Sequence, residues 1–67
     1  MTLKEYRVKN GYTQKEMANF LNIKQNSYSR KENGRRQFTI DELLALEKVF
    51  KISISDLLQL IKGNTRG

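Results

Sequence analysis

Thr13-Gln14-Lys15-Glu16-Met17-Ala18-Asn19-Phe20-Leu21-Asn22-Ile23-Lys24-Gln25-Asn26-Ser27-Tyr28-Ser29-Arg30-Lys31-Glu32-Asn33-Gly34 is the stretch from which the rest of the chain can be read. Thr13 followed three positions later by Glu16 is a reciprocal helix-start signal, so a helix is expected from there through about Leu21. Asn22-Ile23-Lys24 has room only for a tight turn, and Asn22 tolerates the left-handed backbone such a turn needs. A further helix then spans about Gln25 to Asn33 and is stopped by Gly34. That helix carries a single apolar residue, Tyr28, so burial alone cannot hold it against a core. At 3.6 residues per turn Gln25, Asn26, Ser29, Arg30 and Asn33 share one face, every one with a hydrogen-bonding side chain. Tyr28 and Glu32 fall on the other: one face to anchor, one face to read.

Outward from this stretch the same grammar repeats. A hydroxyl residue precedes an acid by three positions at Thr2/Glu5, Thr39/Glu42 and Ser53/Asp56, and each pair is expected to form a reciprocal cap. The first helix is expected over about Leu3 to Asn10, ended by Asn10-Gly11. Thr39 opens a fourth helix with an apolar stripe of Ile40, Leu43, Leu44, Leu46 and Phe50; Ser53 opens a fifth with Ile54, Leu57, Leu58, Leu60 and Ile61. With no proline and no alternating strand pattern, the fold class is all-α: a compact bundle of five helices in one domain over residues 1–62, with residues 63–67 as a flexible tail.

Composition narrows function. Sixty-seven residues at 37% apolar content support one small core. There is no cysteine or histidine, which removes disulfides, zinc and thiol chemistry and leaves no side chain suited to general-base work near neutral pH. An enzyme is therefore not expected, nor any cofactor. No apolar run is long enough to span a bilayer, the N-terminus lacks a signal-peptide stretch, and the basic half has no clustered apolar face for a membrane surface. A cytoplasmic protein without a membrane partner is expected. The net charge of +6 sits wholly in the first half: residues 1–36 hold nine basic and three acidic side chains, residues 37–67 four of each. That asymmetry is the footprint of a protein that meets phosphates with one side.

The ordered set Thr13-Gln14-Lys15-Glu16-Met17-Ala18, Leu21-Asn22-Ile23 and Tyr28-Ser29-Arg30-Lys31-Glu32-Asn33-Gly34-Arg35-Arg36 resembles the Cro/phage-repressor (XRE-type) helix-turn-helix family, over about Leu3 to Leu58. The resemblance implies a lambda repressor-like fold whose second and third helices form the helix-turn-helix. Ala18 matches the small residue where those helices approach; Leu21, Ile23 and Tyr28 match the apolar positions that hold the turn. It also implies an ion pair between Arg7 and Glu32. Several residues depart from the family pattern: Lys31 stands where an apolar residue is usual, Phe38 where proline is common, Lys51 where glycine is frequent, and Glu47 where alanine is frequent.

The family docking mode lays the third helix in the major groove of double-stranded operator DNA. Gln25 and Asn26 suit adenine, Arg30 suits guanine, and Ser29 completes the expected base-reading set. Gln14, Lys24, Asn33, Arg35 and Arg36 are the expected phosphate contacts. Leu57, Leu58, Leu60 and Ile61 place four apolar residues in five positions, wider than one core-facing stripe, and predict a homodimer through the fifth helix. The expected function is a DNA-binding transcriptional regulator. The alternative is an antitoxin or antirepressor-type module in which a protein partner dominates, using Phe20 and Phe38 as exposed aromatic contacts.

Overall fold

The computed structural model describes residues 1–63, which form the helices α1 (Leu3–Lys9), α2 (Gln14–Leu21), α3 (Gln25–Glu32), α4 (Ile40–Phe50) and α5 (Ile54–Lys62). No strand occurs among the described residues. Residues 64–67, most of the expected tail, lie outside them. Thr2, Thr13 and Thr39 each accept from the amide three residues on, while Glu5, Glu16 and Glu42 reach back to the cap amide. At α5 only half of this arrangement forms: Ser53 accepts from the Asp56 amide at 3.1 Å, but Asp56 does not return the bond. Its arm is one methylene shorter than that of glutamate.

The helix ends follow from backbone freedom. Asn10 and Asn33 are C-caps rather than last helical residues, one position short of expectation, and Gly11 and Gly34 behind them take φ of 81° and 80°. Asn22 turns the chain at φ 58°; Lys51, the position where glycine is frequent in the family, does the same at φ 56° with a full side chain.

Leu3, Met17, Ala18, Leu21, Tyr28, Leu46, Phe50 and Leu57 make the core, drawn from all five helices. α2 packs on both α3 and α4, and α5 on α4 and α1. Ala18 is 2% exposed beside the α2–α3 turn, and the Ile23 amide there donates to the Ala18 carbonyl at 3.0 Å. Tyr6 and Tyr12 stand edge-on to Phe50 with ring centroids 5.1 and 5.9 Å away.

Two apolar stripes are narrower than the sequence suggests. On α4, Ile40 and Leu44 are exposed, because at 100° per residue they lie about 120° and about 160° round the helix from buried Leu46. On α5, Leu57 is completely buried and Leu58 is turned outward. Phe20 is half exposed, edge-on to Tyr12, whereas Phe38, expected on the surface, is partly buried against Tyr28 at 6.1 Å. No helix among the described residues is long and apolar enough to cross a membrane.

Candidate nucleic-acid interface

α3 is held by a polar anchor rather than an apolar stripe. Tyr28 and Glu32, one turn apart, are both fully buried, and the tyrosine hydroxyl donates to Glu32 Oε2 at 2.7 Å. The carboxylate draws donors from two more helices. Arg7 Nε on α1 donates to Oε2 at 2.7 Å, Arg7 Nη2 to Oε1 at 3.3 Å, and Gln14 Nε2 on α2 to Oε1 at 3.2 Å. Arg7 Nη1 donates to the Tyr12 carbonyl at 2.7 Å, which uses the far side of the guanidinium. No buried side-chain nitrogen or oxygen among the described residues lacks a partner, the condition under which a buried charge is tolerable. Burial, then the hydrogen bond to Glu32 and its charge, pushes the Tyr28 phenol far above its ordinary pKa, so it remains a donor. The roll of α3 about its axis is thereby set from two other helices, α1 and α2.

That roll decides what α3 presents. Gln25, Asn26, Arg30 and Asn33 are exposed and Ser29 is half-buried, with Asn33 Nδ2 at 3.5 Å from the Ser29 hydroxyl. Lys24 caps α3 without a side-chain bond and is exposed. Beyond the helix the Gly34 amide donates to the Lys31 carbonyl at 3.2 Å and the Arg35 amide to the Arg30 carbonyl at 2.8 Å, a closed left-handed cap that delivers Arg35 and Arg36 to the surface. They border a shallow depression lined also by Ile23, Ser27, Lys31, Gln37 and Thr39.

Ser27, Gln37 and Thr39 are donor-bearing residues of this surface that the periodicity of α3 does not single out, because Gln37 lies in the loop, Thr39 caps α4 and Ser27 sits at the seam beside Tyr28. Gln14 differs from the other residues expected at phosphates: it is half-buried, and its side-chain amide is already engaged by Glu32.

On the far side, the residues expected to form a dimer surface divide. Leu57 is 0% exposed and belongs to the protein's own core, which corrects its assignment to an interface; Leu60 and Ile61 are partly buried against that core, and Leu58 is 40% exposed. One helix turn cannot direct four apolar residues in five positions to a single partner.

Two helices joined by a three-residue turn, the second anchored through buried Tyr28 and Glu32 and polar outside, define a helix-turn-helix domain. The chain belongs to the Cro/phage-repressor (XRE-type) helix-turn-helix family: the helix-turn-helix family model matches residues 3–57. Two relatives agree. It is 46% identical over 56 residues to the HTH-type transcriptional regulator ImmR of Bacillus subtilis, covering 84% of this chain and 44% of that protein. It is 35% identical over 61 residues to a putative HTH-type transcriptional regulatory protein of Pyrococcus abyssi, covering 91% of this chain and 19% of that protein. The chain thus spans less than half the length of either relative. No solved structure matches it.

Proposed function

We propose that the chain binds double-stranded DNA sequence-specifically as the reading domain of a cytoplasmic transcriptional regulator, with α3 in the major groove. The observation that carries this reading is the division of α3: Tyr28 and Glu32 fully buried, and Gln25, Asn26 and Arg30 outward with no hydrogen-bonding duty inside the fold. Side chains of those types match the acceptor and donor patterns of adenine and guanine edges. Lys24, Asn33, Arg35 and Arg36 flank them and take phosphates, supplying register and most of the affinity. Gln14 reaches a phosphate only with the amide hydrogen that Glu32 leaves free. The names of the two relatives, both transcriptional regulators, support the same reading.

A two-fold dimer on DNA follows the family's half-site logic. Its contact centres on exposed Leu58, with Leu60 and Ile61 contributing their outer edges.

The test begins with selection of preferred sites from random duplex DNA, followed by binding curves for the selected and a scrambled duplex across a salt series. Arg30→Ala is expected to cost about 1–3 kcal/mol on the selected duplex and to relax preference at one base pair. Arg35→Ala or Arg36→Ala is expected to weaken both duplexes alike and lower the salt slope by about 1. Equal losses on both duplexes for Arg30→Ala would remove Arg30 from base reading, and absence of any salt-dependent duplex binding would end the proposal.

A further inference from the structure

Lys31 stands on α3 where the family usually carries an apolar residue, and it is not wasted. Its Nζ meets both oxygens of Glu42 on α4, at 2.6 and 2.7 Å, with the two side chains 13% and 10% exposed. Glu42 is already in use at that point: Oε1 accepts from the Thr39 amide at 2.8 Å and its own amide donates to Thr39 Oγ1 at 3.1 Å, the reciprocal cap that starts α4. One carboxylate therefore joins the last turn of α3 to the first turn of α4. Between those turns lies only the segment from Asn33 to Phe38, which contains Arg35 and Arg36. Its entry is closed by the Gly34 and Arg35 amides on the α3 carbonyls, and its exit is steadied by Phe38 against Tyr28. The ion pair is the tie between entry and exit.

We propose that Lys31 and Glu42 are positioning residues for DNA-backbone binding: their clamp fixes the loop so that Arg35 and Arg36 present their charges together. This rests on the DNA-binding reading above. A preset loop loses less side-chain and backbone freedom on meeting phosphates, and so retains more of the electrostatic gain as affinity. The opposing account makes Lys31 simply one more basic residue of the surface, whose charge Glu42 mutes.

Glu42→Gln separates the two. Glutamine also serves in a reciprocal cap, so the start of α4 survives while the charge of the clamp goes. Removing an acid raises the net charge by one, so by charge alone duplex binding must tighten. The clamp requires the opposite: several-fold weaker binding to a random-sequence duplex and a shallower salt slope, although Lys31 is unshackled. Lys31→Met, which keeps the stem and removes the charge, is expected to act in the same direction, and the double variant to be no weaker than the worse single variant. Preference between selected and scrambled duplexes should be unchanged in all three.

Binding is measured at a temperature where circular dichroism shows each variant fully folded, so that loss of fold cannot imitate loss of position. If Glu42→Gln binds as tightly as the parent or more tightly, or if the two single changes move affinity in opposite directions and simply add, the clamp is overturned. If the unaltered chain fails to bind duplex DNA at all, the functional reading fails first and takes the clamp with it.

Discussion

At the scale of single residues the largest energetic stake is Glu32. It is fully buried, and Arg7, Gln14 and Tyr28 all direct donors at it. Glu32→Ala is expected to cost on the order of 3–5 kcal/mol, because it strands the Arg7 charge rather than because the pair itself is worth that much. Combining Arg7→Met with Glu32→Leu should therefore cost less than Glu32→Ala alone; urea denaturation around a double-mutant cycle reads the coupling, and additive effects would show that the charges act independently. Lys51 is the opposite case. It holds φ 56° on the surface, a conformation that costs an L-residue about 1–2 kcal/mol and glycine nothing steric. Lys51→Gly should gain about 0.5–1 kcal/mol once the greater unfolded freedom of glycine is subtracted, visible as a rise in Tm.

At the scale of elements, helix starts were the most legible feature of the sequence, since a cap is local: Thr2/Glu5, Thr13/Glu16 and Thr39/Glu42 each close within one turn. The exception at Ser53/Asp56 is a matter of reach, so Asp56→Glu should complete the fourth reciprocal cap and raise Tm slightly, whereas Ser53→Ala should cost about 1 kcal/mol. Which apolar residues point inward was less legible. Ile40, Leu44 and Leu58 match their neighbours in chemistry and differ only in angle, and angle is decided by which helix lies opposite. The Lys31–Glu42 tie was invisible for the same reason: eleven positions separate its members, and nothing local announces a partner.

That tie also predicts an acid response. Burial tends to raise the Glu42 pKa, but hydrogen bonds from Lys31 and the Thr39 amide, with the lysine charge, outweigh it and hold the carboxyl below its ordinary 4.5. A carboxyl lowered on folding stabilises the fold above its unfolded pKa, and the contribution fades as pH falls through the folded value. The Tm deficit of Glu42→Gln should accordingly be largest near neutral pH and shrink in acid; a deficit that persists undiminished below the titration of the carboxyl would exclude charge as its source.

At the scale of the whole molecule, the proposed partners fall on two surfaces: the basic flank of α3 and its loop, and the apolar edge around Leu58. Leu58→Asp should leave the fold within about 0.5 kcal/mol, since the side chain is 40% exposed, yet reduce the dimer in sedimentation and cooperative binding to paired half-sites. An unchanged sedimentation profile would remove Leu58 from any interface. The alkaline limit is set elsewhere. Tyr28 must remain protonated to donate to Glu32; its pKa is raised on folding, so its contribution holds below the ordinary 10.0 and is lost as pH rises beyond that. Stability read by urea denaturation should begin to fall there and fall more steeply with pH than in Tyr28→Phe, which has no phenol to ionise; equal slopes would remove Tyr28 from the alkaline response.

The anchoring of α3 from within has a consequence for how such a protein can diverge. The Glu32 network that anchors the helix, drawn from Arg7, Gln14 and Tyr28, lies beneath it, while the side chains of Gln25, Asn26 and Arg30 face outward and take no part in that network. Exchanges at exposed positions of this kind usually cost less than about 0.5 kcal/mol in stability. The residues proposed to read bases are thus free to drift, or to be rewritten by an engineer, without the chain first having to survive an unfolding crisis, and on that proposal new target preferences are reachable through intermediates that all fold.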